Sequence, residues 1–166
     1  MNARSEVQLL LLRHAHAGDP MKWSGNDDLR PLSDRGRRQA ERLGRLLAEA
    51  GFRPDAIRSS PRLRALETAE PVAAALGLKV ISDDALAGPM DLDTLEDLLA
   101  AAGNPSRPLL VGHDPDFSEL AAALTGTPEL PLRKGALVRI DIARPLEAGA
   151  GLLRWLVPPD LLAPGD

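Results

Sequence analysis

The stretch 7–16 reads VQLLLLRHAH, a short apolar run that stops abruptly at an arginine and a histidine. Its four consecutive leucines suit a buried strand and are far too few to cross a membrane. A buried strand that ends in Arg-His presents both side chains at its carboxyl end, where ligands bind in open α/β sheets. A histidine beside a guanidinium can act as a nucleophile while the cation attracts an anion. The alternative is a histidine that only satisfies hydrogen bonds at the strand end.

The composition limits the classes of protein to consider. A chain of 166 residues is long enough for one core, and we expect one domain over 1–166. With no cysteine and only three histidines, the chain has no thiolate metal site, and a structural zinc site is disfavoured. Because the sequence shows neither a leader pattern nor a long apolar segment, we expect a cytoplasmic protein that does not span a membrane.

Charge is distributed unevenly along the chain. A net charge of −4 and an aromatic content of 2% argue against a nucleic-acid partner, because neither a basic surface nor a stacking platform is indicated. The segment 30–64 nevertheless holds ten arginines against four acidic residues. Most of these arginines are expected on a solvated helix face, while two or three suit the lining of an anion pocket.

Short apolar runs alternate with longer segments of helical periodicity, which is typical of βαβ units around a largely parallel sheet. Strands are predicted at 8–12, 55–59, 78–82, 108–112, 136–142 and 152–157. The last two are close enough in sequence to pair as an antiparallel hairpin at one edge. The sequence therefore predicts a three-layer α/β/α fold with a mostly parallel central sheet.

Capping residues predict where the helices begin. Ser33 is a predicted N-cap, and Ser60-Pro61 reads as the N-cap and first position of the next helix. Pro71 should bend or split that helix. Asp93 and Glu96 have capping-box spacing, and Asp114-Pro115 is expected to start the last helix.

A second apolar strand, at 108–112, also ends in a histidine, His113. Two parallel strands that end at the same edge can place His14 and His113 in one crevice. Arg62 and Arg64 fall in the first turn of a predicted helix, where a cation is unfavourable by about 0.3–1 kcal/mol unless an anion binds there. The alternative is that each histidine caps a loop and both arginines point into solvent.

Four short segments carry a resemblance to a known family. They are 12–15 (LRHA), 28–36 (DLRPLSDRG), 59–68 (SSPRLRALET) and 110–113 (LVGH). In order and spacing they resemble the histidine phosphatase superfamily, and specifically the small bacterial phosphohistidine phosphatases of the SixA type. The resemblance runs from about residue 7 to residue 162 and implies a phosphoglycerate mutase-like fold.

The resemblance implies a role for each matching position. His14 is similar to the phosphate-accepting nucleophile of the family. Arg13 and Arg64 are similar to the arginines that grip the phosphoryl oxygens, and His113 to the second histidine that helps neutralise the transferred group. Arg30 matches an extra phosphate-contacting arginine of the small members. Because arginines can supply the charge that a loose phosphoryl-transfer transition state needs, we expect no metal and no other cofactor.

Two features depart from the family pattern, and the role of His16 is a separate question. Ala15 replaces the usual glycine after the nucleophile and adds a methyl group that disfavours positive φ, although alanine is small enough to be accepted. Larger relatives carry a glutamate that protonates a departing alkoxide, and the nearest candidates here, Asp84 and Asp91, are better explained as surface acids. His16 is predicted on the pocket rim, with phosphate contact as the alternative.

The sequence offers no obvious proton donor for the leaving group, and this indicates which substrate to expect. An imidazole leaving from phosphohistidine needs less help from a proton donor than an alkoxide does. The sequence therefore predicts a metal-independent phosphatase that hydrolyses phosphohistidine on a protein through its own phosphohistidine intermediate. The alternatives are a small-molecule phosphomonoesterase or mutase of the same superfamily, and a module that binds phosphohistidine without cleaving it.

Overall fold

In a computed structural model that describes residues 5–162, these residues form one six-stranded sheet with helices on both faces. The strands are β1 (Glu6–Arg13), β2 (Ala56–Ser59), β3 (Val80–Ser82), β4 (Pro108–Gly112), β5 (Leu137–Ala143) and β6 (Leu152–Val157). The helices are α1 (Asp34–Glu49), α2 (Leu63–Leu76), α3 (Leu92–Ala101) and α4 (Asp116–Thr125). The ends of the expected domain, 1–4 and 163–166, lie outside the described residues.

The strand order is β3-β2-β4-β1-β5-β6. The first four strands of that order run parallel, whereas β5 pairs antiparallel with β1 and β6 antiparallel with β5. The predicted α/β class, the largely parallel sheet and the antiparallel hairpin at one edge are therefore confirmed. Within 5–162, every helix is too short or too polar to cross a membrane.

The leucine run of β1 contributes to two cores. Leu9 and Leu11 belong to the core that holds side chains of α3 and α4, whereas Leu10 and Leu12 belong to the core that holds side chains of α1 and α2. All four side chains are 0% exposed. Since side chains alternate between the faces of a strand, a run that is apolar throughout requires a covering layer on each face. This requirement makes the fold three-layered.

The sheet order brings three strand ends together. Strand β4 lies between β1 and β2, with Arg13 opposite Gly112 and Ser59 opposite Val111. Because the three strands are parallel, the residues that follow them emerge at one edge. The backbone N–H of His14 donates to the carbonyl of Gly112 at 3.0 Å, which extends the pairing by one residue.

Ser33 is the N-cap of α1, as predicted, and its Oγ accepts a hydrogen bond from Gly36 N at 3.1 Å. The prediction for α2 is wrong at its start, because the helix begins at Leu63 instead of following Ser60-Pro61. The Ser60 hydroxyl lies 2.7 Å from His113 Nε2, so a long-range contact holds the side chain that was expected to cap the helix. The helix also continues unbroken through Pro71, which corrects the expected split.

The capping box of α3 lies two residues earlier than predicted. Asp91 is the N-cap, and its carboxylate accepts from Thr94 N at 2.8 Å while Thr94 Oγ1 accepts from Asp91 N at 2.7 Å. Glu96 instead accepts a hydrogen bond from Arg144 Nε at 2.7 Å. The last helix, α4, has Pro115 as its N-cap, close to the predicted start.

Gly36 permits α1 to begin directly against the loop that follows β1. A Cβ built on Gly36 lies 2.0 Å from the backbone oxygen of His16. Neither backbone shifts easily, and overpacking of this kind costs about 1–3 kcal/mol. We therefore expect Gly36→Ala to lower the free energy of unfolding by at least about 1 kcal/mol in urea denaturation. The matched control is Gly88→Ala, whose added Cβ meets no atom within 4 Å among residues 5–162. Equal urea midpoints for Gly36→Ala and Gly88→Ala would contradict the expected destabilisation at Gly36.

Candidate active site

Two histidines face each other at the carboxyl ends of β1 and β4. The ring centroids of His14 and His113 are 5.3 Å apart, with an interplanar angle of 54°. Their residues are only 5% and 6% exposed, so both imidazoles are withdrawn from bulk solvent. The structure thus brings together two residues that lie almost a hundred positions apart in sequence.

The hydrogen bond of His14 defines its reactive nitrogen. Its Nδ1 lies 2.8 Å from the backbone oxygen of Ala15. Because a carbonyl oxygen only accepts, Nδ1 carries the proton and Nε2 keeps a free lone pair. Burial, together with the charges of His113, Arg64 and Arg13, lowers the pKa of His14 to about 3, against the opposing effect of the Ala15 hydrogen bond. The imidazole is therefore neutral at physiological pH, as a nucleophile must be.

His113 is oriented from the opposite side. Its Nε2 lies 2.7 Å from Ser60 Oγ, which also accepts a hydrogen bond from Arg62 N at 3.2 Å. Because Ser60 Oγ already accepts from Arg62 N, we assign its proton to the contact with His113 Nε2, and this assignment puts the ring proton of His113 on Nδ1. Burial and the charges of Arg64 and Arg62 lower the pKa of His113 to about 3.

Two of the predicted arginines, Arg13 and Arg64, lie near the histidine pair, and Arg30 lies near Arg64. Arg64 and Arg30 are 5% and 7% exposed, and burial lowers the pKa of Arg64 from its usual range. Arg13 is anchored on the other side, where its NH1 donates to the Leu132 carbonyl at 2.7 Å. Both Arg64 and Arg13 lower the pKa values of the two histidines, so their positive charges are felt at both rings. The histidine pair and the three predicted arginines thus lie in one region.

Unpaired donors are concentrated at this site. Among residues 5–162, four buried side-chain polar atoms have no hydrogen-bond partner, and three of them are Arg13 Nε, Arg64 Nε and His113 Nδ1. Burying a donor without an acceptor costs about 1–3 kcal/mol. Three such donors around two neutral imidazoles are suited to an anion with several acceptor oxygens, which is a phosphoryl group in the predicted chemistry.

One residue of the site, Asp27, was missed by the sequence analysis. Its carboxylate accepts from Arg30 Nε at 2.8 Å and lies 3.1 Å from Arg64 NH2, while its backbone oxygen accepts from Arg64 NH1 at 2.8 Å. The hydrogen bond from Arg30 holds the pKa of Asp27 below its usual range. Asp27 therefore fixes two guanidiniums relative to each other. The one available signal was its position three residues before Arg30.

Thr68 ties the nucleophile loop to helix α2. Its Oγ1 accepts from Ala15 N at 3.0 Å and donates to the carbonyl of Arg64 at 2.7 Å. Ala15 itself is buried with Ala17 and Leu32. Within 5–162 the only non-glycine residue with positive φ is Asn104, so Ala15 fills the usual glycine position without backbone strain.

The remaining candidates lie outside this cluster. His16 is half-buried, with Nδ1 2.6 Å from Ser33 Oγ, which agrees with the predicted rim position. Asp91 caps α3 at the surface, and the backbone N–H of Thr94 lowers the pKa of its carboxyl group, which makes it a poor proton donor. Asp84 is exposed in the short 3-10 turn Asp84–Ala87. Arg62 pairs with Asp28 at 3.1 Å.

The lowered histidine pKa values predict a pH-dependent stability. Unfolding returns each pKa from about 3 toward 6.5, so the unfolded chain binds more protons between these values. Stability is then lost as the pH falls below 6.5, by about 1 kcal/mol per pH unit for each of the two histidines. We expect urea midpoints to fall steeply from pH 6.5 to pH 5. A His14→Asn/His113→Asn double variant should show a shallower slope, and an unchanged slope would refute the assignment.

The sequence matches a known protein family and several of its relatives. The family model described as Histidine phosphatase superfamily (branch 1) matches residues 9–123. The mitochondrial serine/threonine-protein phosphatase Pgam5 of Drosophila yakuba is 38% identical over 68 residues, which are 41% of this chain. The chain spans about a fifth of that relative, since the match covers 22% of its length.

Two solved structures are similar over nearly the whole chain. A structure of the protein histidine phosphatase SixA complexed with tungstate has a TM-score of 0.80 at 23% identity and covers 95% of this chain and 100% of the other. The putative phosphohistidine phosphatase SixA from Agrobacterium tumefaciens has a TM-score of 0.74 at 25% identity and covers 96% and 99%. These similarities confirm the predicted phosphoglycerate mutase-like fold.

Proposed function

The chain belongs to branch 1 of the histidine phosphatase superfamily, and from this membership we propose that it hydrolyses phosphohistidine on a protein. The observation that carries the proposal is the neutral His14, with a free Nε2, facing unpaired donors of Arg13, Arg64 and His113. The proposal treats the whole sequence as one phosphatase domain.

The proposed reaction has two steps. In the first, the substrate imidazole takes a proton from water at its other ring nitrogen, His14 Nε2 attacks phosphorus, a new N–P bond forms, and the P–N bond of the substrate breaks to release neutral imidazole. Arg13, Arg64 and His113 donate to the three equatorial oxygens, whose charge increases in the loose transition state. In the second step water attacks phosphorus, orthophosphate is released and His14 is restored.

Arg30 acts through Asp27 in this scheme as well as on the phosphoryl group. The Asp27 carboxylate holds Arg30 and Arg64 together before substrate arrives. Positioning charged donors in advance avoids their reorganisation during the reaction, and this is the main source of electrostatic catalysis.

The choice of phosphohistidine rests on the acids near the site. The pKa of Asp27 is lowered by Arg30, so its carboxyl group is ionised and cannot donate a proton at neutral pH. The candidates Asp84 and Asp91 are exposed surface residues. Because none of these three acids is suited to donate a proton, a leaving imidazole is favoured over a leaving alkoxide, which depends more on general acid catalysis. Similarity to the putative phosphohistidine phosphatase of A. tumefaciens supports the same substrate.

A substrate panel tests the proposal. The panel contains a phosphohistidine-bearing protein, phosphoserine and phosphothreonine peptides, and sugar and glycerate phosphates. Because general acid catalysis is worth about 100- to 10,000-fold for a poor leaving group, we expect kcat/KM to be at least about 100-fold higher for phosphohistidine. Efficient hydrolysis of the small phosphate esters without action on phosphohistidine would favour a phosphomonoesterase. Tight binding of phosphohistidine without turnover would favour a binding module.

A further inference from the structure

A second, strongly basic cleft adjoins the active site. It has a volume of about 260 Å³ and shares Arg13 with the active site. We call it the basic cleft and define it by Arg13, His16, Arg35, Arg133, Lys134 and Asp160. Five of the eight residues that line it are basic. A cleft of this size lies just below the range for drug-sized ligands and suits one small charged group.

Lys134 lines the basic cleft, and the charges of three active-site arginines act on it. It is half-buried and forms no hydrogen bond or ion pair with any other residue in 5–162. Burial, and then the charges of Arg13, Arg30 and Arg64, lower the pKa of its ammonium group. An ammonium group held near other cations without a partner is costly unless an anion compensates for it.

Arg35 approaches the same space from helix α1. It stands in the first turn of that helix, where the helix dipole disfavours a cation. It is exposed, and no ion pair joins it to another of the described residues 5–162. Burial, and then the charges of Lys134 and Arg35, lower the pKa of His16, and all three side chains line the basic cleft.

Two acidic side chains pair with this surface, and its four arginine and lysine side chains outnumber them. Asp114 Oδ2 lies 3.3 Å from Arg13 NH1. Asp160 lies 3.7 Å from Arg133, and both side chains are well exposed, so that pair is weak. Asp19 raises the pKa of Lys134, but its effect is smaller than those of the three arginines that lower it. The basic cleft therefore keeps an excess of positive charge beside the phosphoryl site.

We propose that the basic cleft is a second anion subsite, which binds a carboxylate on the substrate next to the phosphoryl group that is transferred. The inference rests on the proposed function and narrows it to phosphohistidine segments that carry an acidic side chain near the histidine. Lys134 and Arg35 bind that carboxylate, and Arg13 lies between the two subsites. A second phosphate offers the same anionic chemistry, and the experiment separates the two sources.

Two phosphohistidine peptides that differ only in glutamate or glutamine beside the histidine provide the test. For the wild-type protein we expect a KM about 10-fold lower for the glutamate peptide with a similar kcat, and we expect added salt to reduce the difference. In an Arg35→Gln/Lys134→Gln double variant the two KM values should agree within about 2-fold. The control is Arg38→Gln/Lys79→Gln, which removes the same charge from exposed residues outside the basic cleft.

The outcomes separate a local subsite from general charge attraction. A preference for glutamate that persists in Arg35→Gln/Lys134→Gln, or falls equally in the control, overturns the proposal. If neither peptide is hydrolysed, the proposed function fails. Calorimetric titration with pyrophosphate and orthophosphate then tests whether the basic cleft binds a second anion. Tighter binding of pyrophosphate that is lost only in Arg35→Gln/Lys134→Gln would support a subsite for a second phosphate. No difference between the two ions would overturn it.

Discussion

Replacing His14 with alanine should lower kcat by about 10,000-fold or more, because the variant lacks the nitrogen proposed to form the covalent intermediate. The structure leaves Nε2 of this residue with a lone pair, since Nδ1 donates to the Ala15 carbonyl at 2.8 Å. The measurement is single-turnover hydrolysis of a phosphohistidine protein labelled with radioactive phosphate. Rapid denaturation should trap a phosphoenzyme that survives in base and is lost in acid.

A parallel variant separates loss of the nucleophile from loss of the site. His113→Ala removes the facing ring, 5.3 Å away, but leaves His14 in place. We expect this variant to form the same phosphoenzyme about 100- to 1,000-fold more slowly, as when one donor to a developing oxyanion is removed. If His14→Ala still accumulates the label, another residue is the phosphate acceptor and the proposed mechanism is wrong.

Replacing Arg64 with glutamine should lower kcat/KM by about 100- to 1,000-fold. The Arg64 guanidinium is buried, leaves Nε without a partner among residues 5–162, and is fixed by two contacts with Asp27. Arg64→Lys should recover only part of the loss, because an ammonium group does not reproduce the planar fork of a guanidinium. Steady-state kinetics and orthophosphate inhibition provide the measurement.

The matched control for Arg64 is its neighbour Arg62. Both arginines precede or open the first turn of α2, but the guanidinium of Arg62 pairs with Asp28 at 3.1 Å. We expect Arg62→Gln to change kcat/KM by less than about 3-fold, as is usual for a partly exposed ion pair. Equal losses in the two variants would mean that the general positive charge of this region matters and that the placement of Arg64 does not.

Residues of the site that follow strands were predictable from the sequence, whereas residues that contact the site through loops were not. His14 and His113 each directly follow an apolar strand, and Arg64 lies in the first turn of the helix after another strand. Asp27 lies in a loop with no apolar periodicity, and its contacts with Arg30 and Arg64 depend on how that loop folds back. Lys134 belongs to another segment without a regular pattern.

Local rules also failed where a distant contact competed for the same side chain. Ser33 caps α1 as its sequence predicts, since its hydroxyl bonds to the adjacent turn. Ser60 has the same capping chemistry, but its hydroxyl lies 2.7 Å from His113, 53 residues away. A serine hydroxyl forms few hydrogen bonds, so a buried partner can replace the capping role.

Local patterns in the sequence were enough to predict the three layers of the fold and the strands that form the sheet. Leu9–Leu12 require apolar cover on both faces of β1, because consecutive side chains of a strand point in opposite directions. The position of β4 between β1 and β2 is visible only in the folded chain, and this order places His14, His113 and Ser60 at one edge. The alternation of side chains along a strand and the periodicity of a helix depend on residues that are near neighbours in the sequence. The order of the strands depends on packing between segments up to a hundred residues apart.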